Sequence, residues 1–410
     1  MVTKTLCRAC NAPLSETFAD LGMSPLANSF VPASQIQAPE TFYPLHARVC
    51  SRCLLVQLDY IADPGDIFRD YLYFSSFSQS WLEHCSQHAA AAISSLGLDA
   101  QSLVVEIASN DGYLLQYFKS RHVPVLGIEP AANVAKLAIE KGIPTEVIFF
   151  NSAAATQLKN RGITANLIIA NNVLAHVPDI NDFVVGIKIL LAHDGVVHAE
   201  FPHLMTLIEE GQFDTIYHEH YSYFSLKVIV DIFARKGLTV FDVEVLPTHG
   251  GSLRIFAAHS VSDRVASTRM ATLCAAEESA GIGSLETYRD FARRVIDTKI
   301  DLLAFLIEAK RQHRRVVGYG APAKGNTLLN YCGVGPELLE FTVDRSPYKQ
   351  GTFLPGVRIP VLHPDAILEA KPDYVLILPW NLRDEIVTQL AAIHAWGGKF
   401  VTAIPKLKVF

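Results

Sequence analysis

The sequence predicts an α/β protein. Two parallel, doubly wound sheets, one central and one C-terminal, follow a small cysteine-rich module at the N-terminus. Three observations carry that prediction. Short apolar strands alternate with helical segments from Leu103 to Pro202 and again from Val316 to Pro405, and such alternation closes into parallel sheets with right-handed crossovers. Two CxxC pairs stand ahead of both blocks. The length, 410 residues, exceeds what one ordinary core organises. The divisions expected from these signals are 1–62, 63–258 and 259–410.

Composition narrows the function classes. Half of the residues are hydrophobic and 19% are charged, so the chain can bury sizeable cores. A net charge of −6 and a pI near 6.2 argue against nucleic acid or an acidic membrane as partner. No run approaches the ~20 apolar residues of a membrane span, and the start, MVTKTLCRAC, lacks the apolar core of a signal peptide. The expectation is a soluble, cytoplasmic protein; its oligomeric state is not readable.

The elements follow in order. Cys7 pairs with Cys10 and Cys50 with Cys53, while Cys85, Cys274 and Cys332 are scattered. In a reducing compartment two converging CxxC knuckles supply the four thiolates of a tetrahedral Zn2+ site. A redox pair and plain buried cysteines are the competing readings. Four cysteines would close the coordination shell, so the zinc is expected to be structural. Residues 11–49, between the pairs, must then form a subdomain of their own. IADPGD breaks the chain after Tyr60, and the alanine-rich end of the segment Asp70 to Leu96 reads as a helix.

In the central block, LVVEI (103–107), VPVLGIE (123–129), TEVIFF (145–150), NLIIANN (166–172) and VVHAEFP (196–202) read as strands. YLLQYFKSR and AANVAKLAIEKG read as helices, as does DFVVGIKILLAHDG, closed by Gly195 as a C-terminal cap. LTVFDVEVLP (238–247) and SLRIFAAH (252–259) read as a hairpin turning at HGG. Helices fill Ser260 to Arg315. The second block has strands at 316–320, 340–344, 374–380 and 399–405, with a helix from Lys324. Arg254 and the run Lys310 to Arg315 read as solvated faces.

The loop from Glu106 to Gly112 lies at the carboxyl end of the first strand, where open α/β sheets bind ligands. It has only one glycine, Gly112, and opens with an acid, so it does not suit a pyrophosphate. S-adenosylmethionine (SAM), with its sulfonium, ammonium and ribose hydroxyls, suits it better. Glu106, Ala108, Asn110, Gly112 and Asn171 are the candidate contacts, and Glu129 is placed to accept from the ribose. VVEIASNDGYLLQYF followed by GIEP resembles motif I and the next acidic position of class I SAM-dependent methyltransferases. The commoner form of that motif has glycine where this chain has Ala108.

TIYHEHYSYFS (215–225) crowds Tyr217, His218, Glu219, His220, Tyr221 and Tyr223 into a loop after a sheet strand, the position where catalytic residues concentrate. HEH lacks the HExxH spacing of a zinc enzyme. NNVLAHVPD brings His176 to the same edge, and Tyr71 could cover the cleft. Packed aromatics and core histidines are the plainer reading of each.

VVGYGAPAKGNTLL carries Gly318, Gly320 and Gly325, with Lys324 and Asn326 opening a helix whose amide end favours an anion. It reads KGN and not GK[ST], which excludes a P-loop. The anion reading makes Gly320, Lys324 and Asn326 contacts to a diphosphate; the alternative is a degenerate module that only shapes the cleft.

Together, the two CxxC pairs, VVEIASNDG, FPHLMTLIEEGQFDTIYHEHYSYFS and GYGAPAKGNTLLNYCGV resemble the sugar-nucleotide C-methyltransferases across essentially the whole chain. That resemblance implies a zinc-binding part, a class I methyltransferase Rossmann-like domain and a second Rossmann-like domain. It also implies a 4-keto-deoxyhexose on a nucleoside diphosphate as substrate, methylated by SAM, with carbon 3 as the expected position. His220 would be the base, Tyr217 and Glu219 its polar partners, and His176 and Tyr71 further substrate contacts. Two other classes remain open: an NAD(P)-dependent sugar-nucleotide oxidoreductase, and a non-enzymatic zinc-ribbon adaptor.

Overall fold

The computed structural model describes residues 5–61, 76 and 79–410. Tyr71 and the IADPGD turn beyond Ile61 therefore lie outside the described residues. In the N-terminal part, strands β1 (Glu16–Ser24), β2 (Val31–Pro32), β3 (Tyr43–Val49) and β4 (Val56–Leu58) surround the cysteine knuckles. The insertion between the two CxxC pairs folds as expected into its own unit, with β1 antiparallel to β3 and β3 to β4. Its core docks on the long helix Leu285–Arg311, where Phe18 stacks on Phe291 at 4.4 Å.

The central sheet holds β5 (Val104–Ile107), β6 (Val125–Ile128), β7 (Thr145–Glu146), β8 (Ala165–Asn171) and β9 (Leu191–Pro202). A short strand, β10 (Ser222–Tyr223), precedes the hairpin of β11 (Leu238–Leu246) and β12 (Ser252–His259). The sheet order is β11-β12-β9-β8-β5-β6-β7, with β12 antiparallel to both neighbours. β5 and β6 are buried along their whole length, as parallel strands covered on both faces must be.

Strand β10 does not join this sheet. It completes the N-terminal one, order β1-β3-β4-β10, with Ser222 opposite Gln57 and Tyr223 opposite Val56.

The C-terminal sheet holds β13 (Val316–Tyr319), β14 (Thr342–Val343), β16 (Val361–Leu362), β17 (Tyr374–Ile377), β18 (Lys399–Thr402) and β19 (Lys408–Val409), between them the small strand β15 (Thr352–Phe353). Strand β15 pairs with β2, a second bond to the N-terminal part. Among the described residues, no helix is long and apolar enough to cross a membrane.

Two local expectations fail. The strand expected at 145–150 stops at Glu146, and Val147 and Phe149 are exposed, because β7 is the sheet edge and has no outer neighbour to extend it. Gly195 caps no helix. The helix Ile180–Leu190 ends earlier, and Gly195 lies inside β9, where an added Cβ would come within 2.8 Å of the Ala165 carbonyl oxygen. The glycine serves close strand packing instead.

Candidate active site

The chain leaves β5 through a tight loop in which Ala108, Asn110 and Gly112 all take left-handed backbone (φ 59, 49 and 77). For Ala108 and Asn110 this conformation is unfavourable by about 1 kcal/mol each. A Cβ on Gly112 would also lie 3.0 Å from Ile143 Cγ1. Glu129, just beyond β6, holds the loop: Oε2 accepts from the Asn110 amide at 2.9 Å and Oε1 from the Ala131 amide at 2.8 Å. Burial raises its pKa, and each oxygen keeps a lone pair for a further donor. Glu106 is wholly buried beside the Tyr113 hydroxyl, and burial pushes its pKa well above the usual carboxylate range.

Asn171, at the end of β8, is buried, and neither atom of its side-chain amide has a hydrogen-bond partner among the described residues. Buried amides are rarely left so, and a ligand rich in donors and acceptors would supply the missing partners. Together the loop, the two carboxyl groups and this amide fit SAM.

The second cluster sits on the loop between β9 and β10. His220 Nδ1 lies 2.8 Å from the Thr215 carbonyl, and Nε2 lies 2.9 Å from the Tyr217 hydroxyl. A carbonyl only accepts, so Nδ1 carries the proton and Nε2 offers its lone pair to Tyr217. Burial holds the ring neutral, its pKa well below 6.5, helped by His176, Lys324 and His249. The result is a basic nitrogen that faces the phenol of Tyr217. His176 lies 4.8 Å away, ring centre to ring centre, its pKa lowered to about 4 by burial.

Glu219 is pushed the other way. Burial raises its carboxyl to about 7, while Asn28 of the N-terminal part donates to Oε1 at 2.6 Å. His218 pairs with the Pro44 carbonyl at 3.2 Å. Among the described residues, only the four N-terminal cysteines cluster as metal ligands.

The C-terminal sheet brings its first loop and helix to the same cleft. Lys324 Nζ sits 4.2 Å over the Trp380 ring and 3.0 Å from Asn381 Oδ1. The Trp380 indole donates at 2.7 Å to Asp214, whose carboxyl burial raises to about 6. Gly320 is left-handed (φ 87), and a Cβ there would meet Pro379 Cδ at 2.5 Å. The Asn326 Nδ2 donates at 2.6 Å to the Ala27 carbonyl, while its buried Oδ1 has no partner among the described residues, and Thr327 donates at 3.1 Å to the Ile216 carbonyl. These two residues fasten the helix to its neighbours.

Some groups here have no counterpart in the sequence reading. His249, left-handed at φ 56 in the HGG turn, lies 5.2 Å from the Trp81 ring, and Asn172 Nδ2 donates to its Nε2 at 3.3 Å. Two adjacent glycines in a hairpin turn were the available signal for it. Asp214, Trp380 and Trp81 had none. Arg254 is not solvated, as the sequence suggested, but buried; it reaches Glu200 at 2.9 Å and Glu244 at 3.1 Å. It lies on β12, with Glu200 and Glu244 beside it on the flanking strands and His84 of the helix Gln79–Leu96 lying 3.0 Å from Nη2.

At the N-terminus the four Sγ atoms lie within 4.8 Å of one another, with Cys7–Cys53 at 3.5 Å and Cys10–Cys50 at 3.6 Å. Zinc with Zn–S bonds of ~2.3 Å needs sulfurs about 3.8 Å apart, so the donor set and its spacing fit. Gln57 Nε2 donates to Cys7 Sγ at 3.2 Å, the outer-shell support such ligands commonly have.

Comparison with known proteins agrees with this division of labour. Residues 247–405 match a family described as the C-methyltransferase C-terminal domain, 81–243 a methyltransferase domain, and 7–68 a zinc binding domain. The chain is 35% identical over 403 residues to C-methyltransferase NovU of Streptomyces niveus, covering 98% of this chain and 96% of that one. Among solved structures, magnesium protoporphyrin IX methyltransferase from Synechocystis PCC 6803, with bound SAM, is 14% identical over 48% of this chain and 89% of its own (TM-score 0.34). A SAM-dependent methyltransferase from Clostridium acetobutylicum is 9% identical over 45% and 92% (TM-score 0.36). Both likenesses are too distant to support any inference.

Proposed function

Because the chain belongs to the family of SAM-dependent C-methyltransferases and carries a structural zinc site, we propose that its substrate is a 4-keto-deoxyhexose on a nucleoside diphosphate, methylated at carbon 3. The observation that carries this reading is the neutral His220 imidazole, with its Nε2 lone pair beside the Tyr217 hydroxyl. A saturated carbon becomes a nucleophile only after losing a proton. That loss is feasible next to a carbonyl whose developing charge is stabilised.

When bound, SAM supplies an electrophilic methyl on a sulfonium. Glu129, Asn171 and the loop Glu106–Gly112 hold it by ribose and methionine ends. His220 Nε2 takes the proton from the carbon beside the ketone, Tyr217 turning its hydroxyl toward the ketone oxygen. Glu219, protonated below about pH 7, donates a second hydrogen bond to the same charge, and His176 closes the far wall. Lys324, with the amide end of its helix, offsets the diphosphate charge; Gly320 lets the backbone come close.

The test is mass spectrometry of SAM incubated with dTDP- and GDP-linked 4-keto-deoxyhexoses, repeated in deuterated water. A mass gain of one methyl, with deuterium uptake at the adjacent carbon, is expected. His220→Asn should keep SAM affinity and lose turnover by ~10²-fold or more. Near-normal turnover in that variant removes His220 as the base.

A further inference from the structure

Arg8 stands between the cysteines of the first knuckle, yet its side chain does not serve the metal site. Its guanidinium donates from Nη1 at 2.6 Å to the Tyr221 carbonyl and from Nη2 to the Leu58 carbonyl. Its backbone amide donates at 2.9 Å to Gln57 Oε1, and the same Gln57 side chain donates to Cys7 Sγ. Tyr221 is the residue after the proposed base. Its carbonyl accepts a second bond from the Leu58 amide at 3.0 Å, and its own N–H donates at 2.7 Å to Ala175, the neighbour of His176. From the next residue, Ser222, β10 pairs with β4.

We propose that Arg8 is a positioning residue for His220: it carries the placement of the zinc knuckle into the loop that bears the base. The inference rests on the reading of His220 above. The bonds from Thr215 and Tyr217 choose the tautomer of the ring, but both partners ride on the same loop. They cannot set where that loop lies against a substrate. The Tyr221 peptide can, because its N–H is fastened to the His176 turn and its carbonyl to the zinc knuckle. A planar guanidinium satisfies two carbonyls in one fixed geometry, which a lysine ammonium cannot copy. An error of 1 Å in placing a reacting group can lower the rate by ~10²-fold.

The test uses full-length, zinc-loaded protein and the variants Arg8→Met, Arg8→Lys, His220→Asn and the double variant Arg8→Met/His220→Asn. Zinc content, SAM affinity, kcat, KM and amide hydrogen exchange over 217–223 are measured for each. Arg8→Met should keep its zinc and its SAM affinity, lose kcat by about 10- to 100-fold with KM changed less than about 3-fold, and speed exchange at Tyr221 to Tyr223. Arg8→Lys should fall nearly as far, since charge without the fork does not restore the geometry. The double variant should be no slower than His220→Asn alone, because Arg8 acts through that ring.

Undiminished kcat in Arg8→Met, with His220→Asn inactive, overturns the role of Arg8 alone. Loss of zinc in both Arg8 variants also overturns it, by making the residue a support of the knuckle. Additive losses in the double variant would show that Arg8 acts elsewhere. Full activity of His220→Asn overturns the base assignment instead.

Discussion

Two loops meet at the cleft, and they are held in opposite ways. The donor loop, Ala108 to Gly112, is fixed by its own sheet: Glu129 bonds it, and Ile143 leaves room only for glycine at position 112. The base loop, 213–223, bonds to the Ala175–His176 turn of its own domain and to the adjoining Gly211 and Gln212, but is also gripped from outside. Arg8, Asn28, Pro44, Val56 and Gln57 hold it from the N-terminal part, and Trp380 and Thr327 from the C-terminal part. On the assignment proposed above, binding the methyl donor is a property of one domain, whereas placing the base draws on all three parts of the chain.

Zinc removal tests this contrast most severely. A chelator, or Cys10→Ser, should melt the N-terminal sheet, since such sites supply folding free energy directly. Turnover should fall at least as far as in His220→Asn, while SAM affinity by calorimetry stays within about 3-fold, as 10³-fold would need ~4 kcal/mol the donor loop never receives from that module. Parallel loss of both would erase the distinction.

Gly112→Ala strikes the other loop. Left-handed backbone and the close Ile143 contact together should weaken SAM binding by about 10-fold, a cost of roughly 1–2 kcal/mol. Exchange rates at Tyr221 to Tyr223 should not move.

Glu219 sharpens the comparison through pH. Its folded carboxyl titrates at about 7, above the ordinary 4.5, so the folded state favours the protonated form. Its stabilising contribution is complete below about pH 4.5 and is lost as pH rises through 7, a change of order 3 kcal/mol. Turnover should instead stay level at lower pH and decline as pH rises through the folded value of about 7, where the carboxyl loses the proton it donates. Glu219→Gln should abolish both declines, read by thermal melts and a kcat profile from pH 5 to 9. The smallest effect belongs to Ala108→Gly, which should raise stability by at most about 1 kcal/mol through relief of the left-handed alanine.

The same contrast explains what was legible in the amino-acid order. The cysteine pairs and the donor loop depend on neighbours close along the chain, and spacing alone revealed them. Alternating apolar strands likewise predicted both sheets. Arg254 was misread because its burial follows from His84 on the helix Gln79–Leu96 and from Glu200 and Glu244 on the adjacent strands, partners distant in sequence or in another strand that no local pattern carries. Asp214 and Trp380 meet only after both Rossmann-like units have folded. Asn326 looked like a ligand contact on a helix mouth, and only the fold reveals the Ala27 carbonyl it fastens to. Gly195 resembled a cap because both a cap and a close strand crossing select against a side chain.

One consequence concerns the newborn chain. The edge of β4 has no partner until Ser222 and Tyr223 arrive, long after the knuckles have been synthesised. Until then a row of backbone amides and carbonyls is open to any passing strand, the situation that invites aggregation. Loading the metal early would make that edge rigid and therefore more adhesive while it waits. Cells overproducing this enzyme should accordingly gain more soluble protein from faster translation between β4 and Tyr223 than from extra zinc.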